Sequence, residues 1–513
     1  MANLAERLFV QAESRGTQTA LRFGAECFTF GEIAQRVRHV AGGLASIGVG
    51  VGTRVGLMMA SRPEFIFYEQ AIFALGATFS PLNIFYRTNE LLHSIRSCEL
   101  EYLIIAEEFL ERLPQPGSAE LRQLKAILTP SELPDNAARH ILSMDRLSGA
   151  AEPFDCPVQV PECTIGMMLS TSATTGKSKG VMLTIGNVQS NYDRTPDWLG
   201  LTPHTVTLCA LPLYNTFGLN QCVNALMVTG GMLVLTPRFD AGVCIDLIER
   251  HRCTFLPAVP TMLQKLFDHP DAATRDLSSV ERIMTGGAPV PGPLLERIHR
   301  AMGRDTVVFT GYGLTEATAL VTLERIEMGS DDTLARPKTI GRVLDGMELC
   351  ILSEDGRVAG PGEIGEICLR GPNIMRGYYR MPEDTAAALA GGWLHTGDIG
   401  YLDEDGYAYI VDRKKDIIIR GGQNIYPADI EEAIYRLPGV REVAVVRRPD
   451  PTLGEVPIAF VALAPDAVLT AESVIAHCKS ELAYFKVPAT VHFLPELPKG
   501  PTGKILRRGL TET

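Results

Sequence analysis

The sequence predicts a multidomain α/β protein, and three observations lead to that prediction. The 513 residues exceed what one hydrophobic core normally supports, so two or more domains are expected. Helical and strand patterns alternate along most of the chain, which is typical of layered α/β folds. From about Thr339 to about residue 412 the pattern changes to short strands with tight turns, which indicates an antiparallel, barrel-like section. Two of these predicted turns are Ser353 to Gly356 and Asp403 to Gly406.

The N-terminal elements follow a strand and helix rhythm. Phe30 to Ile47 has helical spacing and ends at Gly48, and Arg54 to Ala60 is predicted to be a buried strand. The glycine-rich segment between them, Gly48 to Gly52, resembles a dinucleotide-binding loop. However, Thr53 stands where G-x-G-x-x-G requires its last glycine, so a helix stop and a turn are predicted instead.

Short apolar segments in the middle of the chain predict further strands, separated by helical patterns. They are Thr205 to Leu211, Gly231 to Leu235, Thr254 to Ala258 and Arg282 to Thr285. Ligands of such sheets bind at the carboxyl ends of the strands, so the loops after these segments are the expected site.

Composition and charge exclude several classes of protein. The content of 46% hydrophobic and 21% charged residues is ordinary for an ordered globular protein. The net charge of −12 argues against a nucleic-acid backbone as the main partner. Eleven scattered cysteines without a C-x-x-C pair fit a reducing compartment.

The chain ends and apolar stretches predict a cytoplasmic protein without a membrane span. The N-terminus MANLAERLF lacks the basic and apolar regions of a signal peptide. The longest apolar stretch, around Ala225 to Leu235, is interrupted by two glycines and is shorter than the roughly 20 residues that cross a bilayer.

The run Ser170 to Met182, STSATTGKSKGVM, predicts a phosphate-binding loop after the apolar strand Ile165 to Leu169. Small and hydroxylated residues allow backbone N–H groups and side-chain donors to converge on phosphate oxygens. A Walker A loop would need glycine at Thr171 and does not require a second lysine, which here is Lys179. The run is therefore only a near match to that motif.

Several further motifs occur along the chain in a fixed order. They are GGAPV (286–290), GYGLTEAT (311–318), GEIGEICLRGPNIMRGYY, WLHTGDIG (393–400), VDRKKDIIIRGGQNIYP and LPKGPTGKILRR. Together with the phosphate loop, they resemble the adenylate-forming superfamily of acyl-CoA synthetases, luciferases and non-ribosomal adenylation domains. The order and spacing match across nearly the whole chain, and the resemblance is closest to fatty-acyl-CoA ligases.

The resemblance implies a fold and a reaction. It implies a large N-terminal AMP-binding domain, residues 1–414, with two αβ-layered subdomains and a small β-barrel section, and a small mobile α+β C-terminal domain, residues 415–513. These enzymes join a carboxylate to AMP, release pyrophosphate, and pass the acyl group to a thiol. A carboxylate must approach a polyanionic triphosphate, so fixed cations and donors are required. The implied small molecules are ATP, Mg²⁺ and coenzyme A.

The resemblance assigns one group of residues to ATP. The residues expected to hold the β- and γ-phosphates are Thr171, Ser172, Thr174, Thr175, Gly176 and Lys179. The residues expected around the nucleoside are Gly286, Gly287 and Ala288 along the adenine, Tyr312 stacked on the base with Gly313 beside it, and Asp398 and Arg413 at the ribose. By the same resemblance, Thr315 contacts the α-phosphate and Glu316 binds Mg²⁺, which neutralises the leaving pyrophosphate.

The last hundred residues supply the remaining implied roles. Lys504 matches the catalytic lysine that reaches the α-phosphate and the substrate carboxylate. Lys415 matches a hinge about which the small domain rotates between the half-reactions. That rotation would withdraw Lys504 and bring the Gly421–Gly422 loop to the site, as part of a tunnel for the pantetheine thiol.

Three positions depart from the family pattern. Ala173 and Ser178 stand in the phosphate loop where the family usually has glycine and proline. Asn215 stands where acyl-CoA synthetases often have a histidine beside the substrate carboxylate. An asparagine offers hydrogen bonds but no titratable imidazole, so this change is expected to alter the pocket more than the mechanism.

The expected acyl pocket predicts a monocarboxylic substrate, with a medium-chain fatty acid as the first choice. Its positions include neither a cation for a second carboxylate nor an acid for an ammonium group. They are Tyr214, Asn215, Thr216, Phe217, Met284, Ala317 and Thr318.

The alternatives to an acyl-CoA synthetase are a stand-alone adenylation enzyme that loads a carrier protein, a luciferase-like oxygenase, and an inactive nucleotide-binding scaffold. The carrier-protein alternative includes an aryl or alicyclic acid as substrate. Either a monomer or a homodimer is compatible with the sequence.

Overall fold

The computed structural model describes residues 1–115, 118–132, 141–170, 179–287, 290, 292–302, 305–328, 334–465, 467–499 and 505–510. The chain forms two compact units. Unit 1 consists of Met1–Glu348 and Arg370–Leu394, and unit 2 consists of Leu349–Leu369 and His395–Thr513. Lys415 lies inside unit 2, and the domain boundary between residues 414 and 415 stays a prediction.

The strands are short and distributed along the whole chain. In chain order they are β1 (Thr19–Phe23), β2 (Glu26–Thr29), β3 (Arg54–Met58), β4 (Thr78–Pro81), β5 (Tyr102–Ile105), β6 (Ala126–Thr129), β7 (Ile141–Ser143), β8 (Ile165–Ser170), β9 (Gly180–Thr184), β10 (Val206–Cys209), β11 (Met232–Leu235), β12 (Phe255–Ala258), β13 (Arg282–Gly286), β14 (Val307–Gly311), β15 (Thr322–Arg325), β16 (Thr339–Val343), β17 (Glu348–Leu352), β18 (Gly365–Arg370), β19 (Gly377–Tyr378), β20 (Leu394–Leu402), β21 (Ala408–Arg413), β22 (Ile418–Arg420), β23 (Gln423–Ile425), β24 (Val440–Asp450), β25 (Gly454–Leu463) and β26 (Thr490–Phe493).

The helices alternate with these strands. They are α1 (Glu6–Arg15), α2 (Phe30–Ser46), α3 (Pro63–Ala74), α4 (Thr88–Ser97), α5 (Met144–Ala150), α6 (Ile185–Tyr192), α7 (Thr195–Leu199), α8 (Thr216–Gly218), α9 (Ala225–Thr229), α10 (Ala241–His251), α11 (Pro260–Asp268), α12 (Gly292–Met302), α13 (Pro382–Ala388), α14 (Pro427–Tyr435) and α15 (Ala471–Glu481). A π-helical turn, Leu219–Asn224, connects α8 to α9.

Unit 1 contains two layered sheets, as predicted. One has the strand order β16-β15-β14-β13-β12-β10-β11-β1-β2, and the other has β19-β9-β8-β4-β3-β5-β6-β7. The central strands of each sheet are parallel. The strands predicted in the middle of the chain are confirmed as β10 to β13.

Local sequence explains why these elements form. Helix α2 begins at a capping box, in which the Thr29 backbone N–H donates to Glu32 Oε2 at 2.8 Å and the Glu32 N–H donates to Thr29 Oγ1 at 3.2 Å. Gly48 and Gly52 have φ of +91° and +82°, which confirms a helix stop and a turn in that segment. Helix α3 is apolar on nearly every side and is buried along its length, as expected for a helix between layers.

Unit 2 is built from two groups of strands. Strands β17-β18-β20-β21 lie in that order, and β23-β22-β25-β24 form a second sheet in which β26 pairs with β25. The predicted turns are confirmed, since Gly356 N–H donates to Ser353 O at 2.9 Å and Gly406 N–H donates to Asp403 O at 3.1 Å. Among the described residues these strands form no closed barrel, and the barrel-like section from about 339 to 412 stays a prediction.

Two further features of the described part of the chain concern its cysteines and its helices. All eleven cysteines are free thiols. Among the described helices, none combines the length and the apolar character that a membrane span requires.

Candidate active site

Two of the motif loops begin side by side at the same edge of one sheet. Strands β13 and β14 are adjacent and parallel, and their last residues, Gly286 and Gly311, are paired in register. GGAPV therefore starts next to GYGLTEAT at the carboxyl ends of the strands. The two loops start together because parallel neighbouring strands end at one edge of the sheet, which is where ligands of such sheets bind.

The glycines of these loops are required by backbone contacts within the protein. A Cβ on Gly286 would lie 2.9 Å from Gly311 O, and one on Gly311 would lie 2.6 Å from Thr322 O. A Cβ on Gly313 would lie only 1.9 Å from Ala319 O. Gly287 differs, because its φ of +76° is what favours glycine there.

Tyr312 lies between these glycines and is buried, with 9% of its surface exposed. Its backbone N–H donates to Thr322 Oγ1 at 3.2 Å, which ties the loop after β14 to strand β15. Stacking of the Tyr312 ring on adenine stays a prediction.

Glu316 belongs to a chain of polar contacts that ends at the phosphate loop. Tyr378 O–H donates to Glu316 Oε1 at 3.0 Å. The Lys179 ammonium lies 4.8 Å from the centroid of the Tyr378 ring and forms an ion pair with Asp384. Burial, together with the charge of Glu316, raises the pKa of Tyr378 above its ordinary value, so the hydroxyl stays protonated and remains a donor.

Tyr378 therefore connects the expected phosphate-binding lysine to the expected metal-binding carboxylate. Neither Tyr378 nor Asp384 was predicted from the sequence. Tyr378 belongs to the motif GEIGEICLRGPNIMRGYY, which was recognised without roles for its residues, and Asp384 lies shortly after it. Only the pairing of β19 with β9, which begins next to Lys179, brings them to the site.

In unit 2 the two expected ribose ligands form a cross-strand pair. Asp398 on β20 stands opposite Arg413 on β21, and Arg413 Nε lies 2.8 Å from Asp398 Oδ1. Only 2% of Asp398 is exposed. The buried carboxylate is thus paired with the oppositely charged Arg413 guanidinium through a charge-assisted contact.

A hydrogen-bonded cluster around Glu366, which lies on the neighbouring strand β18, supports this pair. Glu366 accepts from the Gly397 N–H at 3.1 Å and from Lys414 Nζ at 3.0 Å. His395 Nδ1 lies 3.2 Å from Glu366 Oε2 and 3.5 Å from Cys368 Sγ. Burial acts to raise the pKa of Glu366, but the hydrogen bonds from Lys414 and His395 outweigh it and lower that pKa. The ionised Glu366 fixes the backbone beside Asp398.

The expected hinge and tunnel residues also lie in unit 2. The carbonyl of Lys415 accepts from Arg447 at 3.0 Å, and burial lowers the pKa of the Lys415 ammonium. Gly421 and Gly422 form the exposed turn between β22 and β23, with φ of +56° and +81°. Their hinge and tunnel roles stay predictions.

The expected acyl positions lie on strand β13 or in segments that follow strands β10 and β14 of the same sheet. Tyr214 is buried, while Asn215, Thr216 and Phe217 are half-buried at the start of α8. The other three positions, Met284 on β13 and Ala317 and Thr318 after β14, are buried. Their common sheet edge is compatible with one pocket.

Several predicted site residues lie outside the described residues. They are Thr171, Ser172, Thr174, Thr175, Gly176, Ala288 and Lys504, and the family departures Ala173 and Ser178. Their roles stay predictions.

Comparison with known proteins identifies the family. Residues 8–379 match the AMP-binding enzyme family, and residues 429–504 match the AMP-binding enzyme C-terminal domain. The chain is 34% identical to a feruloyl-CoA synthase of Amycolatopsis sp. over 490 residues, which covers 95% of this chain and 94% of that protein. It is 33% identical to a long-chain-fatty-acid–CoA ligase of Bacillus subtilis (strain 168) over 519 residues, with 96% and 91% covered.

A solved structure extends the likeness to the whole fold. The o-succinylbenzoate coenzyme A synthetase of Bacillus subtilis, in complex with ATP and magnesium ion, superimposes with a TM-score of 0.83 at 30% identity, covering 98% of each chain. The fold and the site thus define an adenylate-forming enzyme. The chain belongs to the AMP-binding enzyme family. This confirms the resemblance on which ATP, Mg²⁺ and coenzyme A were predicted.

Proposed function

We propose that the protein is an ATP-dependent ligase that activates a monocarboxylic acid to acyl-AMP, releases pyrophosphate, and transfers the acyl group to coenzyme A. One observation carries this proposal. Tyr378 links Glu316 to Lys179, so the carboxylate for a metal and the cation for phosphates are held together beside the GYGLTEAT loop.

Several residues of this chain would each have a separate role in adenylation. Lys179, released from Asp384, would bind the terminal phosphates of ATP together with the hydroxyls of the phosphate loop. Asp398, held by Arg413, would accept hydrogen bonds from the ribose hydroxyls. Lys504 would donate to the α-phosphate and to the carboxylate of the acid as they approach each other.

Glu316 suits the magnesium that accompanies ATP. Mg²⁺ is bound through one or two carboxylates together with substrate phosphates, and the Glu316 carboxylate is fixed by the Tyr378 hydroxyl. When bound, the cation neutralises charge on the leaving pyrophosphate.

The substrate proposed first is a medium-chain fatty acid. The expected acyl positions are mostly apolar, and none of them carries a cation that could pair with a second carboxylate. One relative is named for long-chain fatty acids, which supports an aliphatic acid.

An aryl acid is the second candidate, and a particular observation favours it. The Tyr214 hydroxyl is buried and has no hydrogen-bond partner among the described residues. A buried hydroxyl normally finds a partner, so an oxygen substituent on an aromatic substrate would satisfy it. Another relative is named for feruloyl-CoA, the thioester of such an acid.

ATP–pyrophosphate exchange across a panel of acids tests the proposal. The panel contains saturated fatty acids of graded length, hydroxylated cinnamic acids and a dicarboxylic acid, and Glu316→Gln is the matched control. Exchange with one class of monocarboxylate, lost in Glu316→Gln, is the expected result. Absence of exchange with every acid would contradict the proposal and favour a nucleotide-binding scaffold.

The thiol acceptor needs a second assay. Thioester formation is compared with coenzyme A and with a phosphopantetheinylated carrier protein, since both present the same thiol arm. Transfer to the carrier protein alone would mean that the carrier, rather than coenzyme A, is the acceptor.

We also propose a cytoplasmic location, supported by the eleven free cysteines. Size measurement in solution decides between a monomer and a homodimer.

A further inference from the structure

The backbone at Thr318 adopts a strained turn directly after the expected catalytic residues. Thr318 is fully buried and has φ +68° and ψ −54°. The Ala319 N–H donates to Ala317 O at 2.8 Å, which closes a three-residue γ-turn. This form of γ-turn is rare, and a β-branched residue at positive φ is an outlier. Such a conformation persists only where the surrounding structure holds it.

Asn373 holds this turn from a distant part of the chain. Its side-chain Nδ2 donates to Ala317 O at 2.8 Å, and its backbone carbonyl accepts from Thr318 Oγ1 at 2.6 Å. Asn373 is 1% exposed, so both bonds are shielded from water. Two of the three residues of the turn, Ala317 and Thr318, are therefore each hydrogen-bonded to Asn373.

Two further hydrogen bonds extend this contact to Glu316. The Met375 N–H donates to Glu316 O at 2.8 Å, and Tyr378 O–H donates to Glu316 Oε1 at 3.0 Å. The segment from Asn373 to Tyr378 thus contacts both the main chain and the carboxylate of Glu316. We call this segment the clamp.

The neighbourhood fixes the orientation of the Asn373 amide. A Cβ on Gly371 would lie 2.9 Å from Asn373 Oδ1, so glycine at that position leaves room for the amide oxygen. The opposite orientation would place Oδ1 against the Ala317 carbonyl, and two acceptors repel each other. An aspartate of the same size would create that repulsion in every orientation.

We propose that Asn373 is a positioning residue of the ligase reaction, whose side-chain amide holds the strained turn at Thr318 and so sets the position of Glu316. Its loss removes one of the two donors to the buried Ala317 carbonyl, which keeps only the Ala319 N–H inside the turn, and allows the turn to relax. Relaxation moves Glu316 relative to the phosphates of ATP. A displacement of about 1 Å costs on the order of a hundredfold in rate. The inference rests on the proposed function, in which Glu316 binds the magnesium that accompanies ATP.

Measuring the two half-reactions separately distinguishes a positioning role from a general loss of stability. Wild type, Asn373→Asp and Asn373→Ala are compared in ATP–pyrophosphate exchange over a range of Mg²⁺ concentrations, and in thioester formation from supplied acyl-AMP. Exchange is expected to fall about tenfold to a hundredfold, with a higher Mg²⁺ concentration at half-saturation. Thioester formation is expected to change less than about threefold, because ATP and its metal take no part in that step.

Asn3→Ala is the matched structural control. Asn3 is also a buried asparagine, and its Nδ2 donates to Phe73 O at 2.7 Å and to Val158 O at 2.8 Å. This variant is expected to lower the melting temperature comparably while its Mg²⁺ dependence stays that of wild type. Adding Thr318→Gly to Asn373→Ala is expected to restore part of the exchange, since glycine adopts positive φ without strain.

Three results would decide against the inference. If both Asn373 variants show the ATP–pyrophosphate exchange rate and the Mg²⁺ dependence of wild type, Asn373 has no positioning role. Equal loss of both half-reactions, or a shifted Mg²⁺ dependence in Asn3→Ala, would reduce Asn373 to a structural residue. Absence of exchange in wild type with every acid would instead overturn the proposed function, so the two failures are distinguishable.

Discussion

Replacing Gly313 with alanine gives the sharpest prediction from this structure. Gly313 lies in the turn between Tyr312 and the expected catalytic residues and forms an isolated bridge with Leu320. An alanine Cβ there would lie 1.9 Å from Ala319 O and 2.7 Å from Ala319 C. Both neighbouring atoms belong to the backbone, so no side chain can move aside to make room.

The clash sets the expected magnitude. Ordinary van der Waals contact of the new Cβ requires a shift of about 1–1.5 Å between the two backbone segments, judged from carbon contact distances of about 3.5–4.0 Å and some relaxation. Overpacking of this kind costs about 1–3 kcal/mol of stability. A shift of about 1 Å at a catalytic loop costs on the order of a hundredfold in rate. Gly313→Ala should therefore lose ATP–pyrophosphate exchange by about two orders of magnitude and melt at a lower temperature.

Gly149→Ala is the matched control. Gly149 lies in helix α5, and a Cβ there would meet no atom within 4 Å. The same substitution should leave exchange unchanged and stabilise the protein by about 0.5–1 kcal/mol, because glycine is a poor helix former. Exchange is measured with the preferred acid, and unfolding is followed by circular dichroism. A Gly313→Ala enzyme with wild-type exchange and melting temperature would refute the reasoning from backbone contact.

Four other substitutions have defined outcomes. Tyr378→Phe keeps the aromatic ring next to Lys179 but removes the hydrogen bond to Glu316. The Mg²⁺ concentration that half-saturates ATP–pyrophosphate exchange should therefore rise. An unchanged concentration would show that the hydroxyl is not needed. Burial raises the pKa of Glu69 from 4.5 to about 8, so its contribution to stability is complete below about pH 4.5 and is lost as the pH rises through about 8. Glu69→Gln cannot ionise and should match wild type in urea denaturation near pH 5 but exceed it at pH 9; a constant difference across that range would contradict the shift. Lys504→Ala should lose acyl-AMP formation and retain ATP binding, whereas Lys415→Pro should slow thioester formation and spare adenylation. Equal loss of both half-reactions in Lys415→Pro would count against a hinge.

Local sequence was sufficient for much of the fold. Strand and helix positions in unit 1 follow from apolar periodicity, capping residues and glycine stops, as Phe30–Ser46 shows with its capping box and the glycine turn after it. Short strands with tight turns indicate antiparallel pairing, but closure into a barrel depends on which edge strands meet, which local sequence does not specify.

The sequence by itself determined the family and the residues expected to handle ATP, because motif order and residue chemistry are local properties of the chain. Only the tertiary structure assigned roles to Tyr378, Asp384 and Asn373. Each of them acts on a residue far away in sequence: Tyr378 on Glu316, Asp384 on Lys179, and Asn373 on Ala317 and Thr318. Such contacts depend on how strands pair across a sheet, which periodicity does not encode. The strain at Thr318 is likewise invisible in sequence, since a threonine after Glu-Ala gives no sign of positive φ until the clamp that holds it is in place.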